Sequence, residues 1–191
     1  VGPGGDLDKT IYHFDGEKWS NDGVSRPISP YSIWGFASND VWIGGIGGVI
    51  WRFNGVKWSE SFILDNTNIN LSAIMDIYGE TSNDVYAVGF IDSADVRKGL
   101  ILHYNGTEWT RRNIKNTICN FTRIKRGIKT SSNYFIRGLL ESDIVEDTTK
   151  IFMLENNSLI QLYSAVNIKK NTNFIQNIGN EMVFVIGYTL N

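Results

Sequence analysis

Ile50-Trp51-Arg52-Phe53-Asn54-Gly55-Val56-Lys57-Trp58 is the middle member of three near-copies of one phrase. Ile11-Tyr12-His13-Phe14-Asp15-Gly16-Glu17-Lys18-Trp19 precedes it and Ile101-Leu102-His103-Tyr104-Asn105-Gly106-Thr107-Glu108-Trp109 follows, and an eroded fourth copy runs from Ile151 to Leu159. In each good copy, β-favouring residues lead into Asp-Gly or Asn-Gly and then on to Trp, a hairpin signal. Only Gly, Asn and Asp take up positive φ cheaply, so the turn itself explains these residue types.

A second phrase alternates with the first. Ile33-Trp34-Gly35-Phe36-Ala37-Ser38-Asn39-Asp40-Val41-Trp42-Ile43-Gly44-Gly45 recurs as Ile77-Tyr78-Gly79-Glu80-Thr81-Ser82-Asn83-Asp84-Val85-Tyr86-Ala87-Val88-Gly89, with degenerate copies over 131–138 and 180–187. Ser-Asn-Asp is turn chemistry, and the apolar run that closes on glycine reads as a buried strand. Each unit then holds four short strands, in the best-preserved one about residues 31–36, 41–45, 49–53 and 57–62. Helical periodicity and capping patterns are missing throughout.

Four antiparallel strands recurring at roughly 40 to 50 residues mark a β-propeller blade. The expected fold is all-β: one propeller domain over 1–191, with repeat units about 1–45, 46–89, 90–138 and 139–187. The recurring aromatics fill the wedge between successive sheets. The chain opens on the tail of a second strand, Val1-Gly2, proceeds to third and fourth strands, and closes on first and second ones (about 173–178 and 182–188), which pair into a composite fourth blade if the ends clasp. Two alternatives stay open: an open fragment of a larger ring, and two chains completing an eight-bladed ring.

Composition removes several classes of function. Across 191 residues, 18 Lys and Arg against 20 Asp and Glu argue against a nucleic-acid partner. A single cysteine, Cys119, excludes an internal disulfide, and two histidines leave little for a metal or a His-dependent nucleophile. No apolar run approaches the roughly 18 residues of a membrane span.

The two phrases, hydrophobic-x-His-Tyr/Phe-Asp/Asn-Gly-x-x-Trp and Ile-Trp-Gly-x-x-Ser-Asn-Asp-Val-Trp-x-x-Gly, resemble those of a large group of bacterial secreted repeat proteins. The match is close over 11–109 and weak over 120–191, where the tryptophans are gone. More distantly the chain is similar to kelch-type and sialidase-type propellers and to tectonin lectins, although Ser38-Asn39-Asp40-Val41-Trp42 lacks the spacing of an Asp-box. The resemblance implies a propeller exported to the periplasm, cell surface or medium, in some members through a lipid anchor upstream, and assigns no reaction.

Candidate chemistry is sparse. His13 and His103 share one place in two repeats, but Arg52 and Met153 fill it in the others, so a strand position without ligand role is expected. Asp40 and Asp84 read as turn residues accepting backbone N–H bonds, because Val and an aromatic follow where a calcium loop would alternate oxygens. The stretch Gly44-Gly45-Ile46-Gly47-Gly48 precedes no helix and reads as a tight connection. Asp76, Glu80, Glu108 and Glu60 are available for glycoside hydrolysis, yet no motif singles out a pair.

Charge is uneven. Residues 1–100 carry 7 basic and 13 acidic side chains, while 101–191 carry 11 and 7. Arg111, Arg112, Lys115, Arg123, Lys125, Arg126 and Lys129 cluster around one predicted first strand, the strand that lines a propeller's channel. Polar insertions at 91–98 and 140–149, with Gly4 to Lys9 equivalent, gather on one rim, where binding loops usually sit. These features nominate Asp92, Asp95, Arg97, Arg123, Lys125, Glu141 and Asp143 as ligand-binding residues. The expected activity is non-catalytic binding of a protein or polysaccharide through rim loops and channel mouth, by a monomer or ring-completing dimer with no cofactor. A carbohydrate-active enzyme and a lectin using Trp19, Trp58 and Trp109 are the alternatives.

Overall fold

A computed structural model of the chain describes residues 11–21, 29–65, 67, 69–93, 96–114, 117–127, 133–140, 148–155, 158–166, 173–178 and 181–186, the side chains from 165 onward excepted. Sixteen strands and no helix occur among the described residues. The first pair is β1 (Tyr12–Phe14) and β2 (Trp19–Asn21). Three complete sheets follow: β3 (Pro30–Ala37), β4 (Asp40–Gly45), β5 (Val49–Phe53) and β6 (Trp58–Ile63); β7 (Leu71–Thr81), β8 (Asp84–Ser93), β9 (Val96–Tyr104) and β10 (Trp109–Arg111); β11 (Asn120–Arg126), β12 (Tyr134–Leu140), β13 (Thr148–Glu155) and β14 (Ser158–Val166). A last pair, β15 (Asn173–Ile178) and β16 (Glu181–Ile186), ends the described chain.

Every sheet is an antiparallel meander in chain order, as propeller-like blades are. Observed bounds in the first complete sheet lie within a residue of those read from its sequence, because turn chemistry fixes them. Asp15, Asn54 and Asn105 each accept two backbone N–H bonds through Oδ1, from the residues two and three positions on, at 2.9–3.0 Å. The glycine that follows sits at φ of 106°, 91° or 95°. Phe14 faces Trp19, Phe53 faces Trp58 and Tyr104 faces Trp109, ring centroids 5.1–5.4 Å apart, so an aromatic clasp closes each four-residue loop.

Two apolar cores separate the three complete sheets. One joins Trp42 and Ile50 of the first to Ile74, Ile77, Val85, Leu100 and Leu102 of the second. The other joins Val88 and Ile101 of the second to Phe121, Ile124, Ile136 and Phe152 of the third. First strands approach one another in sequence, β3 against β7, β7 against β11 and β11 against β15. The pairs β1–β2 and β15–β16 stand as separate two-stranded sheets.

Residues 91–93 and 96–98, read as part of a polar rim loop, add their length as strand. Ile91–Ser93 and Val96–Lys98 continue the ladder of β8 and β9, with Asp92 opposite Arg97. The two bond each other twice, at 2.8 and 2.9 Å, and the guanidinium lies 4.2 Å from the Phe90 ring centroid. Polar composition misleads here because cross-strand charge pairs support a strand as well as they solvate a loop.

Candidate inner-strand site

The shared register of the three complete sheets lines up their side chains in rows. One row runs Trp34–Trp42–Arg52 in the first sheet, Tyr78–Tyr86–His103 in the second and Lys125–Phe135–Met153 in the third. A neighbouring row begins with Ser32, Asp76 and Arg123 on the same first strands. Immediately before this second position each first strand slips its register by one residue, between Pro30 and Ser32, Ile74 and Asp76, and Phe121 and Arg123. A β-bulge re-aims the side chains beside it, and one repeated at the same level on three strands sets these positions apart.

Chemistry collects on these first strands. Trp34 and Tyr78 have ring centroids 4.7 Å apart, and the Lys125 ammonium lies 4.9 and 4.8 Å from those centroids, a cation–π contact spanning three sheets. Asp76 accepts the Ile124 N–H at 3.0 Å, covering a donor on the free edge of β11. Burial raises its pKa, opposed by that bond and by the charges of Arg123 and Lys125. Further along the same two strands, Glu80 pairs with Arg126.

Arg123 stands directly opposite Arg137. Thr122, the bulged residue, holds both: its carbonyl accepts Arg123 Nη1 at 2.9 Å and its hydroxyl accepts Arg137 Nη1 at 2.8 Å. Burial, with the charge of Arg123, lowers the Arg137 pKa to about 10.

The far ends of the rows hold a repeated clamp. Asp40 and Asp84 spend their carboxylates across the sheet, not on backbone N–H groups as their turn position suggests. Asp40 pairs with Arg52 at 2.8 Å, and Arg52 covers the Trp42 ring at 4.4 Å. Asp84 meets His103 Nε2 at 2.7 Å, with His103 stacked on Tyr86 at 4.3 Å. Arg112 donates to His103 Nδ1 at 2.7 Å, which assigns the proton to Nε2. The third sheet keeps the geometry with other atoms, Asn133 Nδ2 against Met153 Sδ at 3.2 Å. Tyr134 of the third sheet also donates to Asp84 at 3.1 Å, tying the two sheets together.

Of the residues nominated from sequence, Arg123 and Lys125 meet on β11, whereas Asp92 and Arg97 bond each other on the β8–β9 hairpin. Asp95, Glu141 and Asp143 lie outside the described residues, as do Lys115, Lys129 and Gly4 to Lys9. The carboxylates weighed for hydrolysis are dispersed: Asp76 and Glu80 along β7, Glu60 on the outermost β6, and Glu108 in the β9–β10 turn. Trp19 is exposed, while Trp58 is half-buried. Trp109 is built into the first core against Trp42 and donates to Ser61. No group of three or more His, Cys, Asp and Glu fit to hold a metal occurs among the described residues. No described helix is long and apolar enough to cross a membrane.

No family model, curated protein or solved structure matches this chain.

Sequence reasoning missed Trp34, Tyr78, Asp76 and Arg137 as members of one site. A signal for the bulges was present: Ile74 and Ile77 sit in one core, and Phe121 and Ile124 in the other, three residues apart where an unbroken strand would require two or four.

Proposed function

We propose that this chain is a β-propeller of the exported bacterial kind that binds a protein or polysaccharide partner without catalysis, on the face where its first strands converge. The observation that carries this reading is the bulge repeated on β3, β7 and β11 beside positions holding Ser32, Asp76 and Arg123. A rigid sheet stack that presents unlike polar groups at equivalent, re-aimed positions is a scaffold for recognition. The neighbouring Trp34 and Tyr78 add an aromatic surface.

In this reading β15–β16 and β1–β2 supply the inner and outer halves of one further blade, closing the ring within one chain or between two. Light scattering separates the two by mass.

The functional test is a glycan screen that follows tryptophan fluorescence and, in the same wells, release of reducing ends. A fluorescence change without release is expected, since Trp34 belongs to the site. Release of reducing ends would refute the non-catalytic reading. Silence in both channels would remove polysaccharide as the partner and leave protein.

A further inference from the structure

Arg123 and Arg137 form a like-charge pair in direct cross-strand register, which brings Cβ atoms to about 4.5–5.5 Å and is ordinarily destabilising. The sheet holds the pair in place. Thr122 is buried, and its carbonyl and hydroxyl each take one guanidinium, so both heads are tethered to a single bulged residue. Arg123 is exposed to solvent. Lys125 lies two residues further on the same strand and leads to the Trp34–Tyr78 rings. Among the described residues, Asp76 is a carboxylate that acts on Arg123 and Lys125, and it accepts the Ile124 N–H.

We propose that Arg123 and Arg137, with Lys125 beside them, form a site for a carboxylate or sulfate group carried by an acidic polysaccharide. This deepens the binding reading above and rests on it. A planar or tetrahedral oxyanion seated between two guanidinium forks accepts charge-assisted bonds from both and cancels the repulsion that register imposes on them. The Trp34–Tyr78 rings, reached through Lys125, suit the sugar ring that bears the anion better than they suit a free ion. A depressed Arg137 pKa agrees with two cations held together under partial burial.

The test is affinity electrophoresis of the full chain in native gels containing polygalacturonate or, separately, neutral hydroxyethylcellulose, with calorimetric titration of sodium sulfate at constant ionic strength. The expected result is retardation by polygalacturonate, relieved by sulfate, with Arg123→Gln and Arg137→Gln each weakening binding roughly tenfold or more. Lys57→Gln, which removes a charge from the β5–β6 turn, stays within about twofold, which separates a site from a general field. Asp76→Asn removes the opposing carboxylate and tightens binding, a gain that misfolding cannot mimic; circular dichroism checks the fold of each variant. Sulfate binding without retardation supports the anion site and rejects the polymer as its source. Equal weakening by Lys57→Gln and Arg123→Gln overturns the site. Retardation by the neutral polymer alone, unchanged in Arg123→Gln, overturns it while the binding reading survives. Binding of neither polymer nor sulfate overturns it together with the polysaccharide part of that reading.

Discussion

Gly89, the residue on which the second phrase closes, gives the sharpest test of how these sheets are packed. It lies on β8 between Ile74 of β7 and Leu100 of β9, next to the β7 bulge. A Cβ there falls 1.9 Å from the Ala73 carbonyl oxygen, 2.9 Å from its carbon and 3.1 Å from Ile74 Cα. Carbon–oxygen contacts between strands run at about 3.3–3.6 Å, so Gly89→Ala has to move one strand by more than ~1 Å within a ladder spaced about 4.8 Å. All three obstructing atoms are backbone, so no rotamer change relieves the clash. Overpacking typically costs 1–3 kcal/mol; with backbone as the obstacle we expect about 3 kcal/mol. At about 2–4 °C per kcal/mol for a chain of this size, the midpoint falls by ~6–12 °C. Gly35→Ala is the control: its Cβ meets Val41 Cγ2 at 3.5 Å and the Asp40 carbonyl at 3.7 Å, ordinary contacts, so the change stays within ~0.5 kcal/mol. Guanidinium unfolding followed by tryptophan fluorescence, with a thermal scan, measures both. A Gly89→Ala protein as stable as its parent, or a Gly35→Ala protein equally damaged, would refute this account of the closing glycine.

Three further outcomes are expected. Burial pushes the Cys119 thiol up to about 12, so iodoacetamide at pH 8 leaves the native protein unlabelled and alkylates it in denaturant; rapid native labelling, read by mass spectrometry, would place the thiol at the surface. Burial also raises Asp76 above its ordinary 3.8, so the folded state binds its proton more tightly and this residue's contribution to stability falls as pH rises through its folded pKa. Asp76→Asn keeps an acceptor for the Ile124 N–H and therefore gains on its parent as pH rises through that folded pKa; urea midpoints whose difference is flat with pH would contradict this. Tyr134→Phe loses one bond between sheets, at a cost of about 1 kcal/mol, and combining it with Asp84→Ala gives less than the sum of the two because the bond is shared. Strict additivity in denaturant titrations would dissolve that link.

Much of the backbone was readable because its signals are local. Asp15-Gly16, Asn54-Gly55 and Asn105-Gly106 carry the acceptor and the positive φ that their turns need, within two residues of one another. Strand bounds around Trp34, Trp42 and Trp51 followed from the Asn54-Gly55 turn and from Ser38-Asn39 between β3 and β4. The site was readable only in part. Arg123 and Lys125 were found through charge on a first strand, but their companions belong to other sheets: Asp76, Tyr78 and Trp34 arrive through packing between β3, β7 and β11. The partner of Asp40 or Asp84 was hidden for a related reason, since a diagonal pairing to Arg52 or His103 shows only once the register is known.

Because each sheet is a meander of consecutive strands and, among the described residues, each core is built from two adjacent sheets, the chain is organised along one dimension. Folding can begin at any of its hairpins, for their closure spans only a few residues and carries little entropy cost. Damage should travel no further than it started. A cavity at Trp42 loosens the sheets of β3–β6 and β7–β10 and raises amide exchange there first, while the core around Phe121 and Ile136 keeps its protection until the sheet they share gives way.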